Sequence, residues 1–417
     1  MNQKTALRIL KSHQNVFLTG AAGTGKTFLL NKYINYCKEN NIKIAVTAST
    51  GIAATHLGGR TIHSWSGIGI ADSMESKEIT QLLKRVGFVE RLRTTDVLII
   101  DEISMLHAQQ LDLINKILRT VRGSWEPFGG IQVVLSGDLF QLPPIAKNRD
   151  TQVKFVYQSQ SWKEMKIKIC YLTEQFRQDE NTILQVLDDI RTGNVDENTT
   201  ELLRDAFERE LEDHIEPTRL FTHNANVDII NNRRLAEIKS EEMGYTMISD
   251  GKEKVVEALQ NSCLAPKELL LKEGAIVMFV RNNFEEGYVN GTTGTVIDFT
   301  NDGFPIVETF DGETIEVYPQ KWKIEDEGGV LAEIEQLPLR LAWAITVHKS
   351  QGMTLDAVEI DLSKAFEYGM GYVALSRVRR LENMRLLGLN DIALTVNPKI
   401  LKIDKKFQEE SAKIEKL

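Results

Sequence analysis

Cysteine is scarce in this sequence of 417 residues, which has only Cys37, Cys170 and Cys263 and no CxxC pair. A disulfide scaffold and a cysteine zinc site are therefore excluded. Long apolar runs are also missing, since residues 275–280 fall far short of the about 20 residues that a membrane helix needs. The N-terminal segment lacks the apolar core of a signal peptide. These absences predict a soluble, intracellular protein with no membrane partner.

A net positive charge is missing as well, because 50 basic residues stand against 59 acidic ones, a total of −9. Residues 298–335 alone hold 11 acidic side chains against Lys321 and Lys323, which leaves 48 residues of each sign elsewhere. Phosphate binding depends on local clusters of lysine and arginine. The acidic total therefore excludes no nucleic-acid partner, and it marks one segment as compositionally distinct.

Short runs of valine, isoleucine and leucine alternate with helix-length segments through the first half of the chain. Such runs are typical of parallel strands that are buried on both faces. They predict an α/β fold, with a helix from Lys26 to about Cys37. The predicted strands are residues 15–19, 43–48, 97–100 and 131–135.

The same alternation resumes after a break at residues 143–150. It predicts two further strands and two helices, at residues 167–172, 219–222, 181–192 and 225–239. The α/β pattern returns from Leu341, with strands at residues 357–361 and 384–387. The mixed charges of residues 399–417 predict a solvated amphipathic helix.

Between these parts, four short strands are separated by Asn-Gly and Asp-Gly pairs. These pairs are strong hairpin signals because they tolerate positive φ. The segment is predicted to be a small antiparallel barrel inserted into a second α/β domain. The pairs are Asn290-Gly291, Asp302-Gly303 and Asp311-Gly312.

Residues 20–27, GAAGTGKT, fit the pattern GxxxxGK[ST] between a predicted strand and a predicted helix. Glycines allow backbone N–H groups to curl around phosphate oxygens, and the helix N-terminus adds a positive dipole end. Lys26 is predicted to reach the β- and γ-phosphates, and Thr27 to hold Mg²⁺. The predicted nucleotide-binding residues of the loop are Gly20, Gly23, Thr24, Gly25, Lys26 and Thr27.

An acidic pair, Asp101-Glu102, directly follows the predicted strand at residues 97–100. Its place at a strand's carboxyl end, one strand over from the loop, suits Mg²⁺ coordination by Asp101 and water activation by Glu102. Together with the phosphate loop, the pair indicates an NTPase. It does not distinguish kinases, switches and motors.

Three further residues favour a motor. Gln141, in GDLFQLPP after a strand, is predicted to sense the γ-phosphate. Arg177 and Arg377 lie in the second α/β half. Arginines opposite a phosphate-loop domain are predicted to reach across a cleft as fingers, with their charge compensated only when the two lobes meet.

The order and wording of the motifs resemble superfamily 1 helicases, and within them the PIF-type 5′-to-3′ DNA helicases. Residues 104–122 resemble that family's signature helix, although His107 stands where the family usually has Asp. We expect this difference to affect capping or partner contacts rather than basic activity. The matching segments span almost the whole chain: VTASTGIAA (46–54), TIHS (61–64), IDEISML (100–106), GDLFQLPP (137–144), EQFR (174–177), TVHKSQG (346–352) and VALSR (373–377).

The resemblance implies the remaining roles. Gln3 would read adenine, so that ATP is favoured over other nucleotides. Trp65 could stack on a base or belong to the core, and Tyr372 could pack against adenine or the core. The implied catalytic residues are Lys26, Glu102, Gln141, Arg177 and Arg377. The implied DNA contacts are Thr47, Thr50, Gly51, His63, Ser64, Thr346, His348, Lys349 and Ser350.

The implied fold class is α/β, with two RecA-like parallel-sheet lobes, an SH3-like antiparallel barrel in the second and a short wedge insertion in the first. The expected bounds are 1–65 and 91–165 for the first lobe, 66–90 for the wedge, 166–255 and 336–417 for the second lobe, and 256–335 for the barrel. The expected cofactors are ATP and Mg²⁺.

The predicted partners are single-stranded DNA and forked or structured duplex DNA, bound by a monomer in the cytoplasm or nucleoid if the source is bacterial. Two alternatives stay open. A non-motor switch or kinase would turn over ATP independently of DNA. A helicase subunit of a recombination nuclease would co-purify with a second large subunit.

Overall fold

A computed structural model describes residues 1–69, 71–144, 153–174, 182–207, 209–211, 216–222, 227–283, 285–326 and 329–415. The chain divides into two compact units. Unit 1 comprises Met1–Gln178 and Pro398–Leu417, and unit 2 comprises Asp179–Asn397. Within the described ranges, each helix is too short or too polar to span a membrane.

The centre of unit 1 is a six-stranded parallel sheet. Its strands are β1 (Val16–Gly20), β2 (Ile44–Ala48), β3 (Arg60–Thr61), β4 (Val97–Asp101), β5 (Gln132–Ser136) and β6 (Lys168–Leu172). Their order across the sheet is β3-β2-β4-β5-β1-β6. All residues of β1, β4 and β5 are buried, as expected for strands covered on both faces. The four strands predicted in the first half are confirmed.

Helices surround this sheet. The longest in the first half, residues 108–122, buries Leu111, Ile114 and Leu118 along one face, which is the spacing of an amphipathic helix. It ends at Gly123, whose φ of 60° is left-handed. The helices are α1 (Gln3–Leu10), α2 (Lys26–Glu39), α3 (Gly51–His56), α4 (Ile62–Trp65), α5 (Ser76–Leu82), α6 (Val86–Thr94), α7 (Ala108–Arg122) and α8 (Gln160–Glu164), with 3-10 turns at Ile103–Met105, Pro127–Gly130 and Val156–Gln158.

Strand β6 belongs to unit 1, whereas the predicted bounds place it in the second lobe. It pairs in parallel with β1, from Val16 opposite Lys168 to Gly20 opposite Leu172. An apolar run predicts a strand but not its partner, so the boundary at residue 166 was wrong. The segment 66–90 holds α5 and the start of α6, and its role as a wedge stays a prediction.

The C-terminal helix, Pro398–Glu415, is amphipathic as predicted, but it belongs to unit 1, so its predicted place in the second lobe was wrong. The ring of Phe407 lies 5.5 Å from that of Phe17 and 5.9 Å from that of Trp162, between centroids. The charged residues other than Asp404 are exposed on the remaining faces. The buried residues of this helix are Ile400, Asp404, Phe407 and Ser411.

Unit 2 contains a second parallel sheet, of four strands in the order β18-β7-β19-β20. The strands of unit 2 are β7 (Thr218–Phe221), β8 (Glu242–Thr246), β9 (Ile248–Gly251), β10 (Glu268–Lys272), β11 (Ile276–Phe279), β12 (Thr293–Phe299), β13 (Pro305–Thr309), β14 (Thr314–Glu316), β15 (Gln320–Asp326), β16 (Gly329–Gln336), β17 (Leu339–Leu341), β18 (Ala344–Thr346), β19 (Val358–Leu362) and β20 (Met384–Leu389). Its helices are α9 (Thr182–Thr192), α10 (Glu197–Asp205), α11 (Val227–Glu237), α12 (Glu253–Ser262) and α13 (Met370–Leu375), with a 3-10 turn at Leu381–Asn383.

Antiparallel strands lie between the two halves of that sheet in sequence. Five of them pair in the order β14-β13-β12-β11-β17, three as β15-β16-β9 and two as β10-β8. Gly291, Gly303 and Gly312 have φ values of 97°, 81° and 86° in the turns between β11 and β14, as the hairpin signals predict. An antiparallel insertion is confirmed, but β8, β9 and β17 extend it beyond the predicted bounds of 256–335. Its closure into an SH3-like barrel stays a prediction.

Candidate functional site

The phosphate loop connects β1 to α2 in unit 1. Gly20, Gly23 and Gly25 have φ values of 150°, 83° and 77°, which other residues rarely adopt. A Cβ on Gly20 would lie 2.6 Å from the carbonyl oxygen of Leu172. The Thr24 hydroxyl donates to the carbonyl oxygen of Ala21 at 2.9 Å. These residues shape the loop.

Two predicted nucleotide-binding side chains touch the loop backbone. The Lys26 ammonium donates to the carbonyl oxygens of Gly20 at 2.9 Å and Ala21 at 3.0 Å. The Gln3 amide lies 3.3 Å from the carbonyl oxygen of Thr24. Gln3 is therefore placed beside the loop, while its contact with adenine stays a prediction.

Asp101 ends β4 and Glu102 follows it. The predicted position, one strand over from the loop, needs a correction because β5 lies between β4 and β1. Glu102 has a left-handed φ of 50°, an uncommon backbone conformation for a non-glycine residue. A Cβ atom added at position 137 would lie only 2.9 Å from the backbone nitrogen of Ile103. Glycine at this position therefore permits the two loops to approach closely.

The Asp101 carboxylate is buried, with 8% of its surface exposed. Burial raises the pKa of Asp101 above its ordinary value, and the nearby Lys26 ammonium acts in the opposite direction. Thr27 is exposed at the first turn of α2. A carboxylate and a hydroxyl beside a phosphate site are oxygen donors that suit Mg²⁺, which takes one or two carboxylates together with substrate phosphates. The residues present therefore fit this ion.

Gln141 lies in the loop that follows β5. Its backbone amide donates to the carbonyl oxygen of Asp138 at 3.1 Å. Only 8% of the surface of Gln141 is exposed. Since β5 is the strand between β4 and β1, the segments that carry Lys26, Asp101 and Gln141 follow the carboxyl ends of three neighbouring parallel strands. Whether these side chains act together stays a prediction.

The segment from Thr47 to Gly51, predicted to contact DNA, begins inside β2 with a buried residue. Thr47 is fully buried and its hydroxyl donates to the carbonyl oxygen of Ile99 at 2.6 Å, so the prediction that this hydroxyl contacts DNA was wrong. Thr50 is half-buried and its hydroxyl accepts from the amide of Ala53 at 3.2 Å. Gly51, also half-buried, begins α3.

The same segment is bonded directly to the acidic pair. The backbone amide of Ser49 donates to the carbonyl oxygen of Asp101 at 3.0 Å, and its hydroxyl donates to that of Glu102 at 2.5 Å. Sequence reasoning missed Ser49 because neither residue type nor spacing shows which strand ends are neighbours. The parallel pairing of β2 with β4 supplies that information.

Helix α4 carries His63 and Ser64. Its N-cap, Thr61, accepts from the amide of Ser64 at 3.2 Å, while Ile62 and Trp65 are buried. Trp65 is therefore a core residue, with 2% of its surface exposed. His63 is half-buried and Ser64 is exposed, so both stay available for the predicted role.

In unit 2, the predicted DNA-binding segment follows β18. The Thr346 hydroxyl accepts from the amide of Lys349 at 3.2 Å, and the Ser350 hydroxyl donates to the carbonyl oxygen of Val347 at 2.9 Å. Thr346 and Ser350 are buried, so the prediction that their hydroxyls contact DNA was wrong, and these groups build the turn. His348 and Lys349 are half-buried. Burial lowers the pKa of His348, which favours the neutral ring at pH 7.

Arg377 is 4% exposed. Its guanidinium donates to the carbonyl oxygens of Val373 at 2.7 Å, Ser350 at 2.9 Å and Met353 at 3.0 Å. The prediction that its charge is compensated only when lobes meet was therefore wrong, because carbonyls of its own unit compensate it. Arg177 lies outside the described residues.

Two other sequence questions are answered by contacts. Tyr372 is 1% exposed and its hydroxyl lies 3.3 Å from the Arg191 guanidinium, so it belongs to the core of unit 2. His107 is the N-cap of α7, in a capping box with Gln110, so the departure from the signature pattern affects local capping. Sequence reasoning missed Gln110, although its place three residues after a cap is a capping-box signal.

Family models and known proteins give consistent matches to this chain. A model described as PIF1-like helicase matches residues 2–201, and one described as DNA helicase Pif1, 2B domain, matches residues 254–299. The ATP-dependent DNA helicase Pif1 of Psychrobacter sp. (strain PRwf-1) is 44% identical over 98% of this chain and 71% of that protein. The ATP-dependent DNA helicase PIF1 of Xenopus laevis is 39% identical over 98% of this chain and 64% of its own length. The chain is thus shorter than both relatives.

Solved structures with the same fold include liganded states. Bacteroides sp Pif1 in complex with ADP-AlF4 has a TM-score of 0.82 and 31% identity, over 98% of this chain and 96% of that one. Bacteroides Pif1 bound to ssDNA has a TM-score of 0.66 and 32% identity, over the same shares. A structure of two coordinating Pif1 helicases at forked dsDNA has a TM-score of 0.65 and 32% identity, over 98% and 97%.

Proposed function

Because the chain belongs to the PIF1-like helicase family, it is an ATP-hydrolysing DNA helicase, and we propose that it moves 5′ to 3′ along single-stranded DNA and unwinds duplex ahead of it. The observation that carries this proposal is the hydrogen bonding of the predicted DNA-binding segment, through Ser49, to Asp101 and Glu102. The direction rests on resemblance to the family, since the motifs fit either direction.

In the proposed mechanism, Lys26 exchanges the carbonyl oxygens of its own loop for oxygens of the β- and γ-phosphates. Backbone amides of the loop and the start of α2 supply further positive potential. Magnesium held by Thr27 and Asp101 would offset phosphate charge during transfer. Glu102 accepts a proton from the attacking water, and Gln141 contacts the γ-phosphate. Preorganised charge of this kind supplies most of the catalysis in phosphoryl transfer.

Coupling to DNA within unit 1 would pass through Ser49. A change at Glu102 on hydrolysis alters the acceptor of the Ser49 hydroxyl, and Thr50 and Gly51 follow directly in the chain. Hydroxyls, backbone amides and lysine contact DNA phosphates without reading sequence. The proposed direct contacts are Thr50, Gly51, His63, Ser64, His348 and Lys349.

We also propose that ATP binding closes the two lobes, with Arg177 and Arg377 acting as fingers. Arg377 would have to exchange its bonds with Ser350 and Met353 for phosphate oxygens. Because Ser350 belongs to the predicted DNA-binding segment, this exchange would alter the grip on DNA at the same moment. Alternating tight and weak binding of the DNA phosphates during the ATP cycle would then give directional stepping.

The proposed substrates are single-stranded DNA and forked or structured duplex DNA, engaged by a monomer. The proposed location is intracellular, in the cytoplasm or nucleoid if the source is bacterial. A switch or kinase explains neither the family membership nor the DNA-bound likenesses.

Steady-state ATP hydrolysis with and without a single-stranded oligonucleotide tests the proposal. We expect strong stimulation by DNA. We also expect loss of nearly all turnover in Lys26→Ala, because Lys26 is the one charged side chain of the loop at residues 20–27 that would contact the phosphates. Lys38→Ala, an exposed position at the other end of α2, is the matched control and should behave as the parent. Equal rates with and without DNA would reject a DNA-coupled motor.

A further inference from the structure

Segment 346–356 of unit 2 runs from the proposed DNA contacts to the antiparallel insertion. At its far end, Oδ2 of Asp356 accepts from the backbone amide of Thr293 at 2.9 Å and from the Thr293 hydroxyl at 2.7 Å. Thr293 is the first residue of β12 and is 1% exposed. A hydroxyl buried to this degree is costly unless it is bonded. The two residues therefore form a defined connection between the insertion and the segment.

Gly291 brings the backbone of the insertion against the same segment. It has a left-handed φ of 97°, and a Cβ atom added there would lie 2.3 Å from the carbonyl oxygen of Thr354. Its own amide donates to the carbonyl oxygen of Phe279, in β11, at 2.8 Å. The sheet of the insertion thus fixes Gly291, and any larger residue at this position would push the segment away.

Hydrogen-bonded turns connect this end of the segment to the proposed DNA contacts. The amide of Met353 donates to the carbonyl oxygen of Ser350 at 3.0 Å, and the amide of Gln351 donates to that of His348 at 3.4 Å. Lys349 lies inside the second of these turns. Because the turns are closed by hydrogen bonds, a displacement at the insertion would also displace Lys349.

We propose that Gly291 and Thr293 are positioning residues for DNA binding, which place Lys349 for contact with a DNA phosphate. The inference rests on the proposed function, because Lys349 is a proposed DNA contact. Its ammonium supplies the positive charge and the N–H donors that phosphate oxygens accept. Arg377 holds the middle of the segment from within unit 2, and the insertion holds its far end. A segment fixed at both places loses less conformational entropy on binding.

The first experiment measures the Kd for fluorescein-labelled oligo(dT) by anisotropy in the parent, Thr293→Val and Thr293→Ser. Valine removes the hydroxyl at similar size, so we expect about fivefold weaker binding, the net contribution of one hydrogen bond. Serine keeps the hydroxyl and should bind as the parent does. Thr314→Val, at an exposed position on β14, is the matched control. A role in folding alone would lower the urea midpoint of Thr293→Val and leave the Kd of the folded protein unchanged.

A pair of glycine substitutions tests the close approach of the two backbones. Gly312 has a similar left-handed φ of 86°, but a Cβ atom added there would meet open space among the residues that the structure describes. Gly291→Ala and Gly312→Ala therefore share the backbone strain, and only Gly291→Ala displaces the segment. We expect at least about fivefold weaker binding in Gly291→Ala and parental binding in Gly312→Ala.

A Lys349→Ala background shows whether Thr293 acts through the ammonium. There, Thr293→Val should weaken binding by less than about twofold, because the group that it positions is gone. Parental binding by Thr293→Val would overturn the proposal, as would equal weakening by the two glycine variants or an undiminished effect without Lys349. Failure of the parent itself to bind oligo(dT) would instead reject the proposed function, and the positioning role with it.

Discussion

The buried carboxylate of Asp101 illustrates how a reactive group is held at a cost to folding. Burial raises its pKa, which means that the folded protein binds a proton there more readily than the unfolded chain does. The ionised form is thus disfavoured by folding, and this loss of stability develops as pH rises through the raised pKa. The nucleotide-free protein carries the full cost only at pH values above the raised pKa of Asp101.

We therefore expect Asp101→Asn to raise the urea midpoint of the nucleotide-free protein at pH values above the raised pKa of Asp101, while ATP hydrolysis falls to background. The amide removes the buried charge but also removes the proposed metal ligand. Asp188→Asn, at an exposed position on α9, is the control and should leave both quantities unchanged. A lower urea midpoint, or retained hydrolysis, would contradict the role of Asp101.

Glu367 gives a pH-dependent prediction of the same kind. Burial raises its pKa to about 7, against about 4.3 for an unperturbed Glu. The folded state binds more protons between these values, so its stability falls as pH rises across this window. Glu367→Gln removes the titration, and its urea midpoint should exceed that of the parent at pH about 8 and match it near pH about 4.

Urea titrations of the two proteins at several pH values test this directly. Glu382→Gln, at an exposed position, should show the same pH profile as the parent. A Glu367→Gln advantage that stays constant from acid to alkaline pH would show that the carboxyl does not titrate in this range.

For single residues, the sequence predicted the chemical role of a side chain better than it predicted whether that side chain is exposed. Lys26, Thr27, Asp101 and Gln141 lie together because motif residues at strand ends are placed by the sheet itself. Thr47 was predicted to contact DNA but is buried, since a hydroxyl at a strand end can serve either DNA or a neighbouring strand. Only the pairing of β2 with β4 decides between these uses.

Among the elements, the C-terminal helix shows where pattern reading fails. Its mixed charges predict a solvated amphipathic helix in the second lobe, yet it packs in unit 1, where Phe407 lies edge-on to Phe17 and tilted against Trp162. The pattern predicts a buried face, but it does not show which sheet covers that face. Likewise β6 was recognised as a strand but assigned to the wrong sheet, because an apolar run does not identify its neighbour.

Phe407→Ala tests the packing of this helix. Removing a buried aromatic ring typically costs about 3–5 kcal/mol of the free energy of unfolding, so we expect a large loss of stability in urea or thermal unfolding. Lys406→Ala, an exposed neighbour on the same helix, should cost little. Similar small effects of both changes would mean that the helix is solvated after all.

In the whole molecule, each of the two units has its own parallel sheet, and each sheet carries its own predicted functional segments. Unit 1 holds the phosphate loop, the acidic pair and the Ser49 connection, while unit 2 holds the segment after β18 and Arg377. Sequence motifs predicted both sheets and the antiparallel insertion. They could not predict that Arg377 is bonded within its own unit, because hydrogen bonds over long sequence separations depend on the packed fold.

The central claim is that ATP hydrolysis drives 5′-to-3′ movement on single-stranded DNA. Unwinding of two duplexes that differ only in the polarity of their single-stranded tail tests it most directly, with Lys26→Ala as the hydrolysis-deficient control. We predict ATP-dependent strand separation of the 5′-tailed duplex, little of the 3′-tailed duplex, and none of either by Lys26→Ala. Preferential unwinding of the 3′-tailed duplex, or unwinding that persists in Lys26→Ala, would contradict the account.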